Sequence, residues 1–369
     1  MLLKNCTFYN ELFEKEFGDI RIENGRIAEI GFLDGEGTDM EGCILLPGFI
    51  DIHIHGGAGG DFSDGTREAF DAISTYLAKH GVTAFCGTTM TLPHEKLKDI
   101  VSAAANYTAP KAKLVGINLE GPYIALSKKG AQNADYVRAC SIEELGELLA
   151  LNPNIKLITI APEASDSAAF IQNASKKLTV SVGHSEADEN ECRDGIKNGI
   201  THATHLFNAM TPMTHRSAGI VGAALDSDIT CELICDGAHI CPTVLRNAFR
   251  ILGENRACVI SDSMRAAGLG TGAFELGGQT VYVREGDKTA VLYDGTIAAS
   301  VTNVFDEFRN LLSYGIEFKT ALKSCTINPA RVIGEDKNIG SIAVGKAADL
   351  IVTDEEMNIK EVYINGTRA

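Results

Sequence analysis

A chain of 369 residues, 45% hydrophobic and 22% charged with no low-complexity tract, can bury a large core, which excludes a disordered or fibrous protein and suits one α/β barrel with a small appendage. Its formal net charge of −16, without a basic stripe or a cluster of stacking aromatics, argues against nucleic acid as a partner. The opening MLLKNCTFYN is too polar for a signal sequence and no apolar run approaches membrane-spanning length, so a soluble, cytoplasmic protein with no membrane partner is expected.

Along the first 45 or so residues apolar and polar positions alternate, as in FGDIRIENGRIAEIG, with Asn24-Gly25 as a turn between short strands. The last 30 alternate in the same way, and chain ends often lie close together, so the two segments are expected to pair. Between them eight apolar runs of strand length follow one another: ILLPGFIDIHIH, VTAFCGTTM, KLVGINLEGPY, IKLITIAPE, LTVSVGHS, ITHATHLFNAM, ITCELICDGAHI and ACVISDSM. Stretches such as TREAFDAISTYLAKHG and SIEELGELLALN separate them with helical patterning, Ser141 serving as an N-cap and Gly81 as a C-terminal stop. Strands buried on both faces have near-continuous apolar sequences, and their alternation with helices implies a parallel sheet. The predicted fold class is α/β, a (β/α)8 TIM-like barrel over 47–339 with a small β-sandwich domain built from 1–46 and 340–369. A doubly wound open sheet is the alternative, but no G-x-G-x-x-G follows an early strand. GGQTVYVREGDKTAVLYDG is expected to be a β-hairpin inserted after the eighth strand.

Barrel enzymes place their chemistry at the C-terminal ends of the strands. Here the first run ends in His53 and His55, the third in Glu120, the fifth in His184, the sixth in His205, the seventh in His239 and the eighth in Asp262. His53 and His55 are two apart in a strand, so both rings leave the same face with Cα atoms roughly 6.6 Å apart. Imidazole and carboxylate together suit a borderline divalent ion such as zinc or iron, which lowers the pKa of a bound water to about 7. Asp262, on the neighbouring strand, is placed to take that water's proton and deliver it to a leaving group.

Each of these side chains also has a structural reading: Glu120 as a cap or an arginine partner, Asp262 as an N-cap before MRAAG, any single histidine as a hydrogen-bonded core residue. His80, His94 and His215 are left in structural roles, and His202, three residues from His205, faces the other way in a regular strand. What coincidence does not explain is metal-compatible groups at so many strand ends. GGAGG at 56–60 lacks the G-K-[ST] ending of a phosphate cradle and is expected to be a flexible loop over the mouth. The ten cysteines lack paired C-x2-C spacing and are expected to be reduced, mostly in the core.

With these residues in this order, the chain resembles the N-acetylglucosamine-6-phosphate deacetylase family of the amidohydrolase superfamily. PGFIDIHIHG and the closing GSIAVGKAADL mark the superfamily, whereas NLEGPY, VGHS, THLFNAM and CDGAHI in this order are far more specific. The resemblance implies Glu120, His184 and His205 as principal metal ligands, Asp262 as general acid/base, and His53 and His55 as ligands of a second ion, so one or two divalent ions. It further implies substrate contacts at Ala131, Gln132, Asn208, Ala209, Arg216 and His239, a small amino-sugar phosphate as the substrate, and a homodimer in which Arg216 or His239 reaches across the interface. Two departures stand out: Gln132 where many relatives have histidine, and Ser217-Ala218 where Glu-Pro is usual after Arg216. Both are expected to touch the sugar-recognition side rather than the metal.

The implied reaction is hydrolysis of the N-acetyl group of N-acetylglucosamine 6-phosphate, with the galactosamine epimer as the alternative. A cyclic-amide hydrolase is a weaker reading, because such enzymes typically bridge two metals with a carboxylated lysine ending strand 4, and Lys156 lies at the wrong end of IKLITIAPE. A non-catalytic binding barrel would be expected to have lost a ligand or the acid/base; this sequence has lost neither.

Overall fold

A computed structural model describes residues 1–369. Each of the eight apolar runs supplies one barrel strand: β1 (Phe49–Ile54), β2 (Val82–Thr89), β3 (Lys113–Glu120), β4 (Ile155–Ile160), β5 (Thr179–Val182), β6 (Ile200–Ala203), β7 (Thr230–Leu233) and β8 (Ala257–Val259). All are parallel to their neighbours and lie side by side in sequence order, which rules out the doubly wound alternative. The barrel closes where the chain beyond β8 meets β1: the Asp262 N–H donates to His53 O and the His55 N–H to Ser263 O, each at 2.9 Å. All eight residues of β2 are buried, as a strand covered by helices outside and side chains inside requires.

The helices stop and start where expected. Thr66 accepts from the Ala69 N–H to cap Arg67–Lys79, Gly81 follows that helix at φ 76°, and Ser141 accepts from the Glu144 N–H to cap Ile142–Leu151. No helix is long and apolar enough to cross a membrane. None of the ten cysteines is paired, and all but Cys43 and Cys241 are buried.

The first apolar run serves two sheets. Ile44–Pro47 pairs antiparallel with Leu350–Thr353, and the chain crosses at Gly48 into β1. The terminal segments together form one eight-stranded sheet, in which the Asn24-Gly25 turn joins Lys15–Glu23 to Arg26–Gly31. This sheet curls until the Ile27 N–H bonds Lys346 O at 2.9 Å, giving the two layers of a sandwich around a core of 13 buried residues that includes Leu3, Phe8, Ile20 and Leu350. A methyl group at Gly48 would lie 2.1 Å from Thr83 Oγ1. Gly48→Ala is therefore expected to cost about 1–3 kcal/mol by overpacking, read as a lower denaturation midpoint and only partly relieved by adding Thr83→Ala, since the Cβ of residue 83 would still lie 2.8 Å from the new methyl.

One expectation is extended and one corrected. The hairpin after β8 forms, with Gln279–Val283 antiparallel to Thr289–Val291, but it is the inner pair of a four-stranded antiparallel sheet completed by Gly272–Leu276 and Ile297–Ser300. Its inner pair carries the alternation visible in the sequence; its outer strands, GAFEL and IAAS, are too short and mixed to stand out. GGAGG is not a flexible loop but a packed hairpin, with Gly56 paired to Asp61 and the Ala58 N–H bonded to Ala267 O. A Cβ on Gly60 would sit 2.5 Å from Ala69 O, so glycine here permits close packing on the first helix.

Candidate active site and metal centre

The barrel interior beneath the mouth is polar, and its contacts skip strands. Asn118 on β3 donates to Ile52 O on β1 across β2, and Glu232 on β7 meets His53 on β1 across β8. Such bonds pass through the barrel's centre. At the top of this layer the chain turns out of β5, β6 and β8 at His184, His205 and Asp262, which adopt φ of 48°, 28° and 47°. Left-handed backbone at a residue with a Cβ costs of order 1–3 kcal/mol, and at each of the three positions it swings the side chain over the mouth.

Glu120, ending β3, is the hub. Its Oε1 lies 3.0 Å from His184 Nε2, 2.9 Å from His205 Nε2 and 3.5 Å from His53 Nε2, while Oε2 lies 3.2 Å from His55 Nε2. Two groups of metal-compatible atoms thus share one carboxylate: His53, His55 and Glu120; and Glu120, His184 and His205, each with ligand atoms within 4.8 Å of one another. Asp262 Oδ1 stands beside the first group, 3.4 Å from His55 Nε2 and 3.7 Å from His53 Nε2.

The donors fit a divalent ion. The His184 Nδ1–H donates to Lys128 O at 2.7 Å, leaving the Nε2 lone pair for the cluster. His53 Nε2 is buried with no hydrogen-bond partner although it faces the cluster. The Nε2 atoms of His184 and His205 are 3.1 Å apart, close to the ~3.3 Å spanned by two imidazole nitrogens on one tetrahedral zinc. Burial would raise the carboxyls of Glu120 and Asp262, yet both are held below the usual range, Glu120 by the charges of His53 and His184, and Asp262 by the His55 hydrogen bond and the charge of His53. Burial likewise depresses His55, but Asp262 and Glu120 override it and bring the ring up to about 10. Buried carboxylates this close demand positive charge among them. Protonated imidazoles can provide it, and so can a metal ion.

The cluster opens into a pocket of about 430 Å³ lined by Ala131, Gln132, Asn208, Ala209 and His239 as well as by His55, Glu120, His184, His205 and Asp262. His239 donates Nδ1–H to the buried Asp236 at 2.7 Å, so Nε2 is the atom it presents to the pocket. Arg216 is not brought there: it sits on an exposed turn where the Thr214 N–H bonds Ser217 O. His202 stays out of the ligand groups, as expected, with Nδ1 2.6 Å from Thr230 Oγ1 and Nε2 3.3 Å from Glu232. His80 caps a helix and His94 pairs with Glu147.

Gln132 requires a correction. Its amide Nε2 donates to Glu120 Oε2 at 2.5 Å and its Oε1 accepts from the Thr91 N–H, so this departure touches the metal side. The loop after β3 folds back over the strand's own end, which spacing along the chain does not reveal. The sequence reading also missed Lys128 and Lys129, which line the pocket, the rim formed by Thr296, Ile297 and Ala298 of the inserted sheet, and the supporting carboxylates Asp236 and Glu232. The one available signal was a lone glutamate inside the apolar run ITCELIC.

The sequence profile of the amidohydrolase family matches residues 44–369. Among proteins of known function, the chain is 36% identical to an N-acetylglucosamine-6-phosphate deacetylase of Bacillus subtilis (strain 168), over 97% of this chain and 94% of that protein. It is 32% identical to an N-acetylgalactosamine-6-phosphate deacetylase of Escherichia coli O157:H7, over 95% and 94%. The crystal structure of an N-acetylglucosamine-6-phosphate deacetylase from Pasteurella multocida superposes with a TM-score of 0.93 at 31% identity, covering 100% of this chain and 99% of that one. A closed parallel barrel whose strand ends gather four imidazoles and a shared carboxylate, matched along nearly its whole length, places this chain in the amidohydrolase family, as a metal-dependent hydrolase.

Proposed function

We propose that the chain hydrolyses N-acetylglucosamine 6-phosphate to glucosamine 6-phosphate and acetate. The observation that carries this reading is Glu120 shared between two groups of imidazoles, with Asp262 beside them, at the floor of a pocket sized for a small ligand. Glu120, His184 and His205 would hold one divalent ion, zinc or iron, and His53, His55 and Glu120 a second. Bound there, such ions supply Lewis acidity that acidifies a water and polarises a carbonyl.

The chain's own groups do the rest. Asp262, ionised at neutral pH, accepts the proton of the attacking water as the new C–O bond forms, and returns it to the nitrogen as the C–N bond breaks. His239, its Nδ1 end fixed by Asp236, offers Nε2 to the substrate, and Asn208 and Ala209 line the same wall. Lys128 and Lys129 bring positive charge to the rim of an acidic protein, where a phosphate needs it. In a homodimer the exposed Arg216 is free to serve the neighbouring chain's pocket.

The galactosamine epimer remains the second reading, because a relative of that name matches almost the full length. Acetate release measured on both phosphorylated epimers and on unphosphorylated N-acetylglucosamine decides between them. kcat/KM is expected to be highest for the glucosamine 6-phosphate form, to fall at least about tenfold without the phosphate, and to vanish with a chelator. Equal rates with and without phosphate would refute the substrate assignment.

A further inference from the structure

We propose that Glu232 is a positioning residue for a second metal ion, holding His53 so that its Nε2 lone pair points at the site shared with His55 and Glu120. The inference rests on reading the cluster as a metal centre, and it concerns a residue that touches no substrate.

Glu232 lies in the middle of β7, fully buried, two strands around the barrel from His53. Its Oε2 accepts from His53 Nδ1 at 2.9 Å and from the His205 backbone N–H at 3.0 Å, and its Oε1 lies 3.3 Å from His202 Nε2. An ionised carboxylate only accepts, so Nδ1 of His53 must carry the hydrogen. In the neutral ring Nε2 is then an acceptor, buried, without a partner and 3.5 Å from Glu120 Oε1. A carboxylate behind a ligating imidazole fixes ring and tautomer in this way, and losing one typically costs 10- to 100-fold in metal affinity.

The two ion positions differ in this respect. His184 has its Nδ1 held by a backbone carbonyl, Lys128 O, whereas among the ligand imidazoles only His53 depends on a buried carboxylate across the barrel. The bond from the His205 N–H also braces a residue at φ 28°, so Glu232 ties the two halves of the centre together. Its loss should weaken the His53 side selectively, because His205 keeps its ring contact to Glu120 at 2.9 Å.

The test is metal stoichiometry and affinity in Glu232→Gln protein, titrated with Zn²⁺ against a chromophoric chelator. Wild type is expected to bind two ions per chain. The variant should keep the first at near-wild-type affinity and bind the second about 10- to 100-fold more weakly. Two ions held with unchanged affinity would overturn the proposal, as would equal weakening of both or a wild type that binds a single ion. Should the variant not fold, zinc-loaded wild type with ¹⁵N-labelled histidine decides: the proton of the His53 ring is expected on Nδ1, and a proton on Nε2 overturns the assignment. Neither readout involves acetate release, so failure of the substrate reading and failure of this one are separable.

Discussion

Asp262→Asn protein is expected to keep its full complement of metal while kcat falls by about 10³-fold. Asparagine matches aspartate in shape and leaves intact the backbone bond from residue 262 to His53 O that closes the barrel at this point. What it cannot do is accept a proton from water and give it to a departing amine. The carboxylate is suited to that task because burial, which alone would raise it, is outweighed by the His55 hydrogen bond and the His53 charge, so it is ionised when substrate arrives. Neither group of metal-compatible side chains includes Asp262, and retention of the ions follows from that. Metal content and acetate release measured on one preparation check both halves. Turnover within tenfold of wild type would remove Asp262 from the proton-transfer role, and loss of metal would make it a ligand instead.

The sequence disclosed the barrel because a strand buried on both faces has no polar face to interrupt its apolar run; β2, buried along its whole length, is recognisable for that reason. It disclosed Glu120, His184, His205 and Asp262 because polar side chains at the ends of such runs have few alternatives to facing the mouth. Partnerships across the barrel were not legible. Glu232 is plainly a buried charge in ITCELIC, but nothing in its neighbours says that His53, nearly 180 positions earlier, is its partner. Gln132 misled for a different reason: the resemblance placed it on the sugar side alone, whereas the fold-back of its loop brings its amide onto Glu120. The split of the first run at Gly48 was hidden because both sheets bury their strands, so apolar character continues through the crossing.

At Glu120 the loss should be larger, because both groups of metal-compatible side chains share its carboxylate. Glu120→Gln leaves one carbonyl oxygen to serve His53, His55, His184 and His205, and turns an amide toward the amide of Gln132, which now donates to Oε2 at 2.5 Å. The negative charge that draws a cation into the centre's hub goes with it, while the four imidazoles stay. Metal content is therefore expected to fall far below one ion per chain, and turnover by about 10³–10⁴-fold, the scale of the several kcal/mol that a Lewis acid contributes at 1.36 kcal/mol per decade. Loss of a bound ion also removes its linkage contribution to stability, so added metal should raise the melting temperature of wild type but not of the variant. That contrast separates loss of the site from loss of the fold: a metal-free variant melting with metal-free wild type confirms an intact barrel. A variant that keeps two ions and loses only rate would show that the imidazoles suffice as ligands, and that Glu120 acts on the substrate rather than on the metal.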